Sequence, residues 1–585
     1  MRHFFTGLSL LSFWTIGAVQ AQANPLQVVY PSNNHETTAA QIFLIGTAPI
    51  AGEVLVNGKP IARSAAGHFA PSFPLQVGEN RFTLQHPNSQ AQLTLTVIRK
   101  AKTAALPTGL AFGSDSLEPG VNLARLPGDR ICFGAIAPAQ AQVSVSLGGQ
   151  TVKLQPQNEF VLPENSSVLT GNVEARAIAG QYVGCTQFAT PGELGNPRYR
   201  LTLNGQTLDQ SAPGKITILS PSELKTIAVT AAQGVARTGP STDYSRLTPL
   251  PKGSRAQVTG QEGNWWRLDY GAWIRQSETI EVPAGRDRSL IRGVTSRVKG
   301  GWTEVIFPLQ FPVPVSVQQG DRQFTVTLHN TIAQTDTVRV NQNPVISGIE
   351  WQQTSPSRID YQLNLKAKQQ WGYQLRYEGT RLIVALRHPP QPGSLAKPLQ
   401  GMRILLDPGH GGPEDFGARG PTGLPEKEVV LTLSQLLRQE LIQRGATVLM
   451  TREADIDLLP NDRAALIQQQ APTIALSLHY NALPDDGDAL KTQGVSVFWY
   501  HPQAQSLAIA LHDHLTTRLN RPSDGVMWNN LALTRPNIAP SVLLELGYMI
   551  HPTEFEWIRD PQEQQKLATA IADSLVLWFA ATRTR

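Results

Sequence analysis

A short apolar run that enters a glycine-rich turn is the feature that most constrains the fold of this chain. Ile404-Leu-Leu-Asp407 is typical of a buried strand, Pro408-Gly409 of a sharp turn, and His410 stands at its end. Glycines on both sides of His410 let the backbone approach whatever the imidazole contacts. Open α/β sheets place their chemistry at the carboxyl ends of strands. The stretch therefore predicts a functional sheet edge, although a lone histidine also fits a structural or surface role.

Strand and helix patterns alternate through the remainder of the chain. Apolar runs of strand length cover 404–406, 447–450, 474–478, 495–499 and 542–544. Apolar residues recur at helical spacing over 427–444, 461–470, 502–519 and 562–579. This alternation predicts an α/β sheet with helices on both faces.

Further polar residues occupy positions like that of His410. His479 follows the third predicted strand, Glu545 follows the last one, and Glu426 opens the first helix. Two imidazoles and one carboxylate are a standard Zn²⁺ ligand set with one position left for water. A second carboxylate near that water could accept its proton. These residues by themselves indicate a zinc-dependent amide hydrolase and nothing more specific.

A series of short motifs accompanies these four residues. They are Asp407-Pro-Gly-His-Gly-Gly412, Glu426-Lys427, Thr451-Arg452, Ser477-Leu-His479-Tyr-Asn481 and Leu544-Glu-Leu-Gly547. With them, residues 402–580 resemble the catalytic domain of the zinc-dependent N-acetylmuramoyl-L-alanine amidases of the type-3 family. The resemblance implies a Zn²⁺ cofactor bound by His410, Glu426 and His479, with Glu545 as the catalytic carboxylate. It also implies peptidoglycan as the substrate, cleaved between N-acetylmuramic acid and L-alanine.

Other polar residues near these motifs are weaker candidates. Asn481 and Arg463 are candidates for orienting the site or the substrate, and Arg463 equally fits a structural ion pair. Glu414 and Asp415 are expected in the loop or at the rim rather than as ligands. Two other functions stay open: a zinc endopeptidase that cuts within wall peptides, and a non-catalytic wall-binding scaffold with a degenerate enzyme domain. The scaffold is disfavoured because all four catalytic positions are filled.

The region before residue 390 is predicted to be β-rich. Of 585 residues, 48 are Gly, 43 are Pro and only 16% are charged, which favours turn-rich β modules over long helices. Asn57-Gly58 between two apolar runs is a strong hairpin signal. We predict an immunoglobulin-like sandwich over 24–100, a second one over 101–215, a further β-rich accessory domain over 286–390 and a linker over 391–400. The catalytic domain then covers 401–585.

Residues 216–285 carry a different pattern. Gly234-Val-Ala-Arg237-Thr-Gly-Pro-Ser-Thr-Asp243-Tyr244 is followed by Asn264-Trp-Trp-Arg-Leu268 and Ala272-Trp-Ile274. These phrases resemble a bacterial SH3-like domain, and the resemblance implies binding to cell-wall peptides or other envelope components. Alternatively, the tryptophans only fill the core of a small barrel. The predicted fold class is thus a multidomain chain of all-β modules followed by a C-terminal α/β zinc amidase domain.

The chain holds two cysteines, Cys132 and Cys185. In an exported protein an even count suggests a disulfide, and both residues lie in β-type sequence of one predicted module. The alternative is a pair of buried free thiols.

The start of the chain has the composition of a signal peptide. Arg2 and His3 precede an apolar run over 4–19, and small residues at 19–23 offer cleavage sites, so 1–23 is the predicted leader. An uncleaved anchor is the alternative. No later run is apolar enough to span a bilayer, which predicts an exported protein of the periplasm or cell envelope with no transmembrane segment after cleavage. A net charge of +5 without a basic stripe argues against nucleic-acid binding.

Overall fold

The computed structural model of the chain describes residues 25–101, 106–163, 165, 167, 175–285, 288–391 and 393–582. The predicted leader, residues 1–23, lies outside these ranges. Within them, no helix combines the length and the apolar composition that a bilayer crossing requires.

The first predicted module consists of short strands around an apolar core. They are β1 Gln27–Tyr30, β2 His35–Thr37, β3 Gln41–Phe43, β4 Ile45–Thr47, β5 Leu55–Val56, β6 Lys59–Pro60, β7 His68–Phe69, β8 Ser72–Pro74, β9 Gly78–His86 and β10 Ala91–Arg99. They pair in the orders β1-β4-β7, β2-β10-β9-β5-β6 and β3-β8. The buried core between the sheets includes Ile42, Phe69 and Leu84.

The next region is built on a sheet of longer strands. Its elements are β11 Leu123–Arg125, β12 Arg130–Ile136, β13 Gln142–Leu147, β14 Gln150–Val161, β15 Arg176–Gln187, β16 Gly192–Gly195, β17 Arg198–Leu203, β18 Gln206–Ser211 and β19 Ile216–Ile218. Six of them form the order β12-β15-β14-β13-β17-β18. Cys132 and Cys185 lie directly opposite each other on β12 and β15 and form a disulfide, which confirms that prediction.

A sheet crosses the predicted boundary at residue 215. The following strands are β20 Thr226–Val229, β21 Gln233–Gly234, β22 Leu250–Pro251, β23 Arg255–Glu262, β24 Trp265–Leu268, β25 Trp273–Arg275 and β26 Thr279–Val282. The sheet runs β16-β19-β11-β23-β20-β26, and β24 joins β23 to β25. Because β11 pairs with β23, backbone hydrogen bonds connect the second predicted module to the segment that was predicted to be SH3-like. The division into these modules remains a prediction.

Two sheets enclose a common core in the accessory region. The strands are β27 Ser289–Lys299, β28 Trp302–Pro308, β29 Val315–Gly320, β30 Gln323–His329, β31 Thr331–Arg339, β32 Ile346–Ser355, β33 Arg358–Leu365, β34 Tyr373–Glu378 and β35 Arg381–Arg387. They pair as β31-β27-β28-β35-β34 and β29-β30-β33-β32. Alternate residues of β33 are buried, as expected for a strand with one face on a core.

The C-terminal part is an α/β sheet. Its elements are β36 Arg403–Pro408, α1 Glu426–Gln443, β37 Thr447–Met450, α2 Pro460–Gln470, β38 Ile474–Asn481, β39 Val495–Trp499, α3 Pro502–Leu519, β40 Ser523–Trp528, β41 Ser541–Tyr548, α4 Pro552–Ile558 and α5 Pro561–Ala581. The strand order is β37-β36-β38-β41-β39-β40. β40 and α4 were not predicted, because Ser523-Asp-Gly carries no apolar run and α4 has only seven residues.

Strand direction decides where chemistry can gather on this sheet. β36, β38 and β41 are mutually parallel, whereas β39 runs antiparallel to β41. The carboxyl ends of the first three strands therefore meet at one edge. Alternate residues of β36 point to opposite faces: Ile404 and Leu406 join the core under α1, α3 and α5, and Leu405 joins a smaller core with Ile467 of α2. The fold class is confirmed as a β-rich region followed by a C-terminal α/β domain.

Candidate metal centre and its surroundings

Three of the predicted site residues converge at the carboxyl edge of the sheet. His410 lies two residues beyond β36, His479 lies near the end of β38, and Glu426 is the first residue of α1. One ligand atom from each lies within 4.8 Å of the other two, which makes the trio a candidate metal-binding group. The convergence follows from parallel strands that end at the same edge.

Two contacts within this trio have lengths that neighbouring ligand atoms of one metal ion also have. Nε2 of His410 lies 3.2 Å from Oε2 of Glu426, and Nδ1 of His479 lies 3.1 Å from Oε1. Two ligand atoms that each lie at the usual Zn²⁺ distance are separated by about 3.3 Å in a tetrahedron. The imidazole rings stand nearly perpendicular, with centroids 5.0 Å apart. The donor set and its spacing therefore suit Zn²⁺.

Glu426 is the buried centre of the group. Its Oε2 accepts a hydrogen bond from the Ala418 backbone N–H, and its Oε1 accepts one from the Tyr480 backbone N–H, both at 2.9 Å. Burial acts to raise the pKa of this carboxyl, but the hydrogen bonds and charges of His410 and His479 outweigh it and lower the pKa to about 2. Glu426 is therefore held as a carboxylate, the form that binds metals.

The glycines of the motif are required by close approach. His410 itself has a φ of 55°, in the left-handed region that non-glycine residues rarely adopt. A side chain on Gly409 would overlap the ring of His479, and one on Gly417 would overlap Glu426 and His410. The backbone can therefore surround the trio only if these positions carry no Cβ.

Asp407 and Arg463 form a buried ion pair beneath the turn that carries His410. Nη1 of Arg463 lies 3.0 Å from Oδ1 of Asp407, and both side chains are almost completely buried. Arg463 also donates hydrogen bonds to the carbonyl oxygens of Pro408 and His410, each at 2.6 Å. Ser477 donates to the other oxygen of Asp407. Of the two roles predicted for Arg463, the contacts correspond to a structural pair that holds the turn.

Arg452 and Asp415 are residues whose contribution was not predicted. Arg452 is fully buried and donates to the carbonyl oxygens of Pro408, Gly409 and Lys427. Asp415 lies in the loop as expected, but its Oδ1 is 2.6 Å from Nδ1 of His410. That contact orients the imidazole so that Nε2 points to Glu426, as is common for metal-binding histidines. Single polar residues in a loop give no periodic signal, and only the Thr451-Arg452 motif pointed to this region.

Glu545 lies on β41 beside the trio and is the register partner of His479 on β38. Its Oε2 is buried and has no hydrogen-bond partner among the described residues. Burial, followed by the charges of Glu426 and Asp524, raises the pKa of Glu545 well above its usual range. The positive charge of a bound metal ion would act in the opposite direction. A buried carboxyl with a free oxygen at this position can exchange a proton with a neighbouring group.

Asn481 is linked to a short polar chain at the rim. Its Nδ2 donates to the Tyr548 hydroxyl at 3.1 Å, and that hydroxyl donates to Oδ2 of Asp524 at 2.9 Å. The side chain therefore connects the end of β38 to the end of β41 and lies outside the trio.

The first β module contacts the loop that leaves the site. Residues 482–494 connect β38 to β39, and Asp485 in this loop is hydrogen-bonded to Tyr30 and lies 2.9 Å from Nε2 of His35. Gln41 donates to the backbone oxygen of Asp486 at 2.5 Å. An apolar cluster completes the contact, with members from both sides: Phe43, Ile45, Ala70, Ala489, Tyr548 and Ile550. The loop beside the candidate metal centre is thus packed against a module from the other end of the chain.

Comparison with known proteins agrees with the class of site that this geometry defines. Residues 404–576 match the protein family described as N-acetylmuramoyl-L-alanine amidase. The chain is also similar to the probable cell wall amidase LytH of Staphylococcus aureus, with 37% identity over 186 residues. That alignment covers 32% of this chain and 60% of the relative, so the chain spans about 60% of the length of the curated relatives it matches.

Solved amidase structures resemble about a third of this chain. N-acetylmuramoyl-L-alanine amidase AmiC2 of Nostoc punctiforme is 27% identical over 31% of this chain and 97% of that chain, with a TM-score of 0.29. The N-acetylmuramoyl-L-alanine amidase from Clostridium difficile 630 is 24% identical over the same shares of the two chains, with a TM-score of 0.29.

Proposed function

We propose that this chain is a zinc-dependent N-acetylmuramoyl-L-alanine amidase that acts on peptidoglycan. The observation that carries the proposal is the convergence of His410, Glu426 and His479 beside the buried carboxyl of Glu545. The family match over residues 404–576 supplies the specific bond. The residues of the site alone support only an amide hydrolase.

His410, Glu426 and His479 would hold the metal ion in this proposal. Zn²⁺ bound there would supply Lewis acidity, polarising the scissile carbonyl and lowering the pKa of a water molecule towards neutrality. Glu426 brings negative charge that favours the cation, and Asp415 fixes the orientation of the His410 ring. Arg463 and Arg452 hold the turn so that His410 keeps its position.

Glu545 would move the proton. Glu545 is the register partner of His479, and its Oε2 has no hydrogen-bond partner among the described residues. From this position it can accept a proton from the attacking water and return it to the leaving amine. Burial excludes bulk water and strengthens the electrostatic interaction of this carboxyl with the reacting groups. The lactyl carboxylate of N-acetylmuramic acid and a free L-alanine amine would be the products.

The other regions would place this activity at the wall. We propose that the chain is exported to the periplasm or cell envelope after removal of residues 1–23, with peptidoglycan as its partner. The β modules 24–100, 101–215 and 216–285 are proposed contacts for the wall or for other envelope proteins, the last as an SH3-like domain. The accessory region 286–390 and the linker 391–400 would then join them to the catalytic domain 401–585.

Mass spectrometry of purified peptidoglycan after digestion tests the proposal. The expected products are stem peptides with a free L-alanine amine and glycan strands with free lactyl groups. Their formation should stop when the metal is removed by a chelator and resume when Zn²⁺ is added. Glu545→Gln serves as the matched control because it is nearly isosteric. Cleavage within the peptides would instead identify an endopeptidase. Binding to the wall without any new chain ends would identify a scaffold.

A further inference from the structure

A group of polar side chains lies at the other end of the C-terminal sheet. β39 is antiparallel to β41, and its last residue, Trp499, pairs with Val542 near the start of β41. Tyr500 therefore lies at the end of the sheet opposite to Glu545. Arg535 is anchored beside Tyr500, because its carbonyl oxygen accepts a hydrogen bond from Nε2 of His501 at 2.7 Å. This end of the sheet takes no part in the chemistry proposed above.

The guanidinium of Arg535 is held in place by two hydrogen bonds and still has donor groups available. Its Nε donates to the side-chain oxygen of Asn530 at 2.7 Å, and its Nη2 donates to the backbone oxygen of the same residue at 2.9 Å. Among the described residues Nη1 has no hydrogen-bond partner. The side chain is thus oriented in advance with donor capacity left over, and ordering it on binding would cost little entropy.

A second arginine of this group, Arg246, belongs to the predicted SH3-like segment 216–285. Thr248, two residues after Arg246, exchanges hydrogen bonds with the backbone of Val317. Gln319, which lies on the same strand β29 as Val317, donates to Gln503. Gln503 is the second residue of α3, the helix that follows Tyr500 and His501 in the chain. Arg246 makes no hydrogen bond or ion pair with any described residue. The loop that carries it is therefore held against the end of the sheet.

Arg535, Arg246 and Arg237 influence one another electrostatically, and among the described residues none of the three makes an ion pair with a carboxylate. Burial, followed by the charges of Arg246 and Arg237, lowers the pKa of Arg535 to about 10. Arg237 is the strand partner of Arg246, is 7% exposed, and has a buried Nε without a partner. The charge of Glu278 acts against that of Arg246, and the charges of Asp243 and Glu278 act against that of Arg237, but among the described residues neither carboxylate makes an ion pair with these arginines. Packed like charges are unfavourable unless an anion neutralises them.

Aromatic rings flank the arginines. Trp528 is 60% exposed, its ring lies 5.3 Å from that of Tyr500, and its Nε1 donates to the Tyr500 carbonyl oxygen at 3.0 Å. The Tyr500 hydroxyl makes no hydrogen bond with a described residue and can donate one. A fixed flat surface beside guanidinium groups that have no carboxylate partner among the described residues suits a ligand that is both anionic and partly apolar.

From this juxtaposition we infer that Arg246, Arg535, Tyr500 and Trp528 form a second, non-catalytic site that binds a free carboxylate of the peptidoglycan stem peptide. The inference rests on the proposed function for the choice of polymer. Guanidinium groups bind carboxylates through two parallel N–H···O bonds, which Arg246 and the free Nη1 of Arg535 can share. The site would hold the wall at a distance from the bond that is cut.

Calorimetric titration of the full chain with a soluble stem peptide tests this site. The free peptide lacks the amide bond to muramic acid and so is not consumed. We expect it to bind, to bind more weakly at high salt, and to lose at least about tenfold in affinity in the double variant Arg246→Gln, Arg535→Gln. The same peptide with amidated carboxylates should not bind. Lys153→Gln, Lys299→Gln removes the same charge from exposed positions elsewhere and should leave the affinity unchanged.

Other outcomes separate this inference from the proposed function. Equal affinity in wild type and the double variant would overturn it, as would equally tight binding of inorganic phosphate, which would indicate a site for phosphate-bearing polymers. If the double variant folds poorly, the single variant Arg246→Gln replaces it in the titration and should also bind the peptide more weakly. This variant should fold, because the Arg246 side chain makes no hydrogen bond with a described residue. Hydrolysis of a soluble muropeptide should be the same in all these variants. A chain that binds the peptide here yet hydrolyses nothing would contradict only the proposed function.

Discussion

His479 and Glu545 are register partners on two parallel strands, β38 and β41. Paired residues on neighbouring parallel strands point to the same face of a sheet, about 4.8 Å apart. The ladder is irregular immediately after this pair, between His479 and Asn481, as is common beside functional sites. One proposed ligand and the proposed base thus have a relative position that is set by backbone hydrogen bonds.

Glu545→Gln should abolish turnover while Zn²⁺ and the fold are retained. The substituted side chain keeps its shape but cannot accept a proton, and general acid–base groups typically contribute about 10²–10⁴-fold. Glu426→Gln is the matched comparison and should lose Zn²⁺, because it weakens a ligand. Kinetic assays and metal analysis of both variants decide the matter. Loss of zinc in the first and retention in the second would mean that the two carboxylates have exchanged roles.

The purified chain should hold one Zn²⁺ per molecule through the trio. The double variant His410→Ala, His479→Ala leaves a single protein ligand, which is too few for a stable site. Elemental analysis after dialysis should find the variant essentially free of zinc. His512→Ala is a suitable control, because this histidine lies on α3 and bonds to Asp513 and Ser523. Full zinc occupancy in the double variant would refute the ligand assignment.

Asp407→Asn should destabilise the C-terminal domain. It removes the charge that neutralises the buried guanidinium of Arg463, and breaking a buried ion pair typically costs about 3–5 kcal/mol. Denaturant unfolding monitored by circular dichroism measures the change. Asp209→Asn, which affects an exposed pair with Arg200, should alter stability much less. Equal effects would show that the buried pair does not stabilise the turn.

Removal of the disulfide should destabilise the second β module. The two cysteines are 53 residues apart, and closing a loop of this size typically contributes about 2–4 kcal/mol by restricting the unfolded chain. Cys132→Ser, Cys185→Ser should therefore unfold at lower denaturant concentration than the parent. Thiol labelling of the unfolded, unreduced parent should find no free thiol, and two reactive thiols would contradict the bridge.

Asp485→Ala should lower activity without removing zinc. The change breaks the contacts with Tyr30 and His35 that hold the loop 482–494. We expect a lower melting temperature and a lower kcat/KM on soluble muropeptides, because this loop directly follows the strand of His479. Asp486→Ala is the control, since the contact made by Asp486 uses its backbone oxygen. Unchanged kinetics in both variants would show that the first module does not influence the site.

His410, His479 and Glu545 could be predicted because they follow apolar runs whose length and order indicate a parallel sheet, and Glu426 because it opens the first helical pattern. The contact between Asp485 and the first module could not be predicted, since hydrophobic periodicity reports that a face is buried and not what covers it. The pairing of β11 with β23 could not be predicted for the same reason. Arg452 and Asp415 lie in turns, where no repeating pattern distinguishes a supporting side chain from a solvated one.

The contact between His35 and Asp485 joins residues that are 450 positions apart in the chain. Formation of this contact is therefore an intramolecular equilibrium that closes a ring. The intervening chain determines the effective concentration of each residue near the other. A contact that would be weak between separate molecules can stay closed under this condition. A single backbone cut near residue 100, after the last strand of the first module and before the disulfide-closed loop 132–185, would make the same contact bimolecular. The first module would then dissociate on dilution although no residue of the interface had changed.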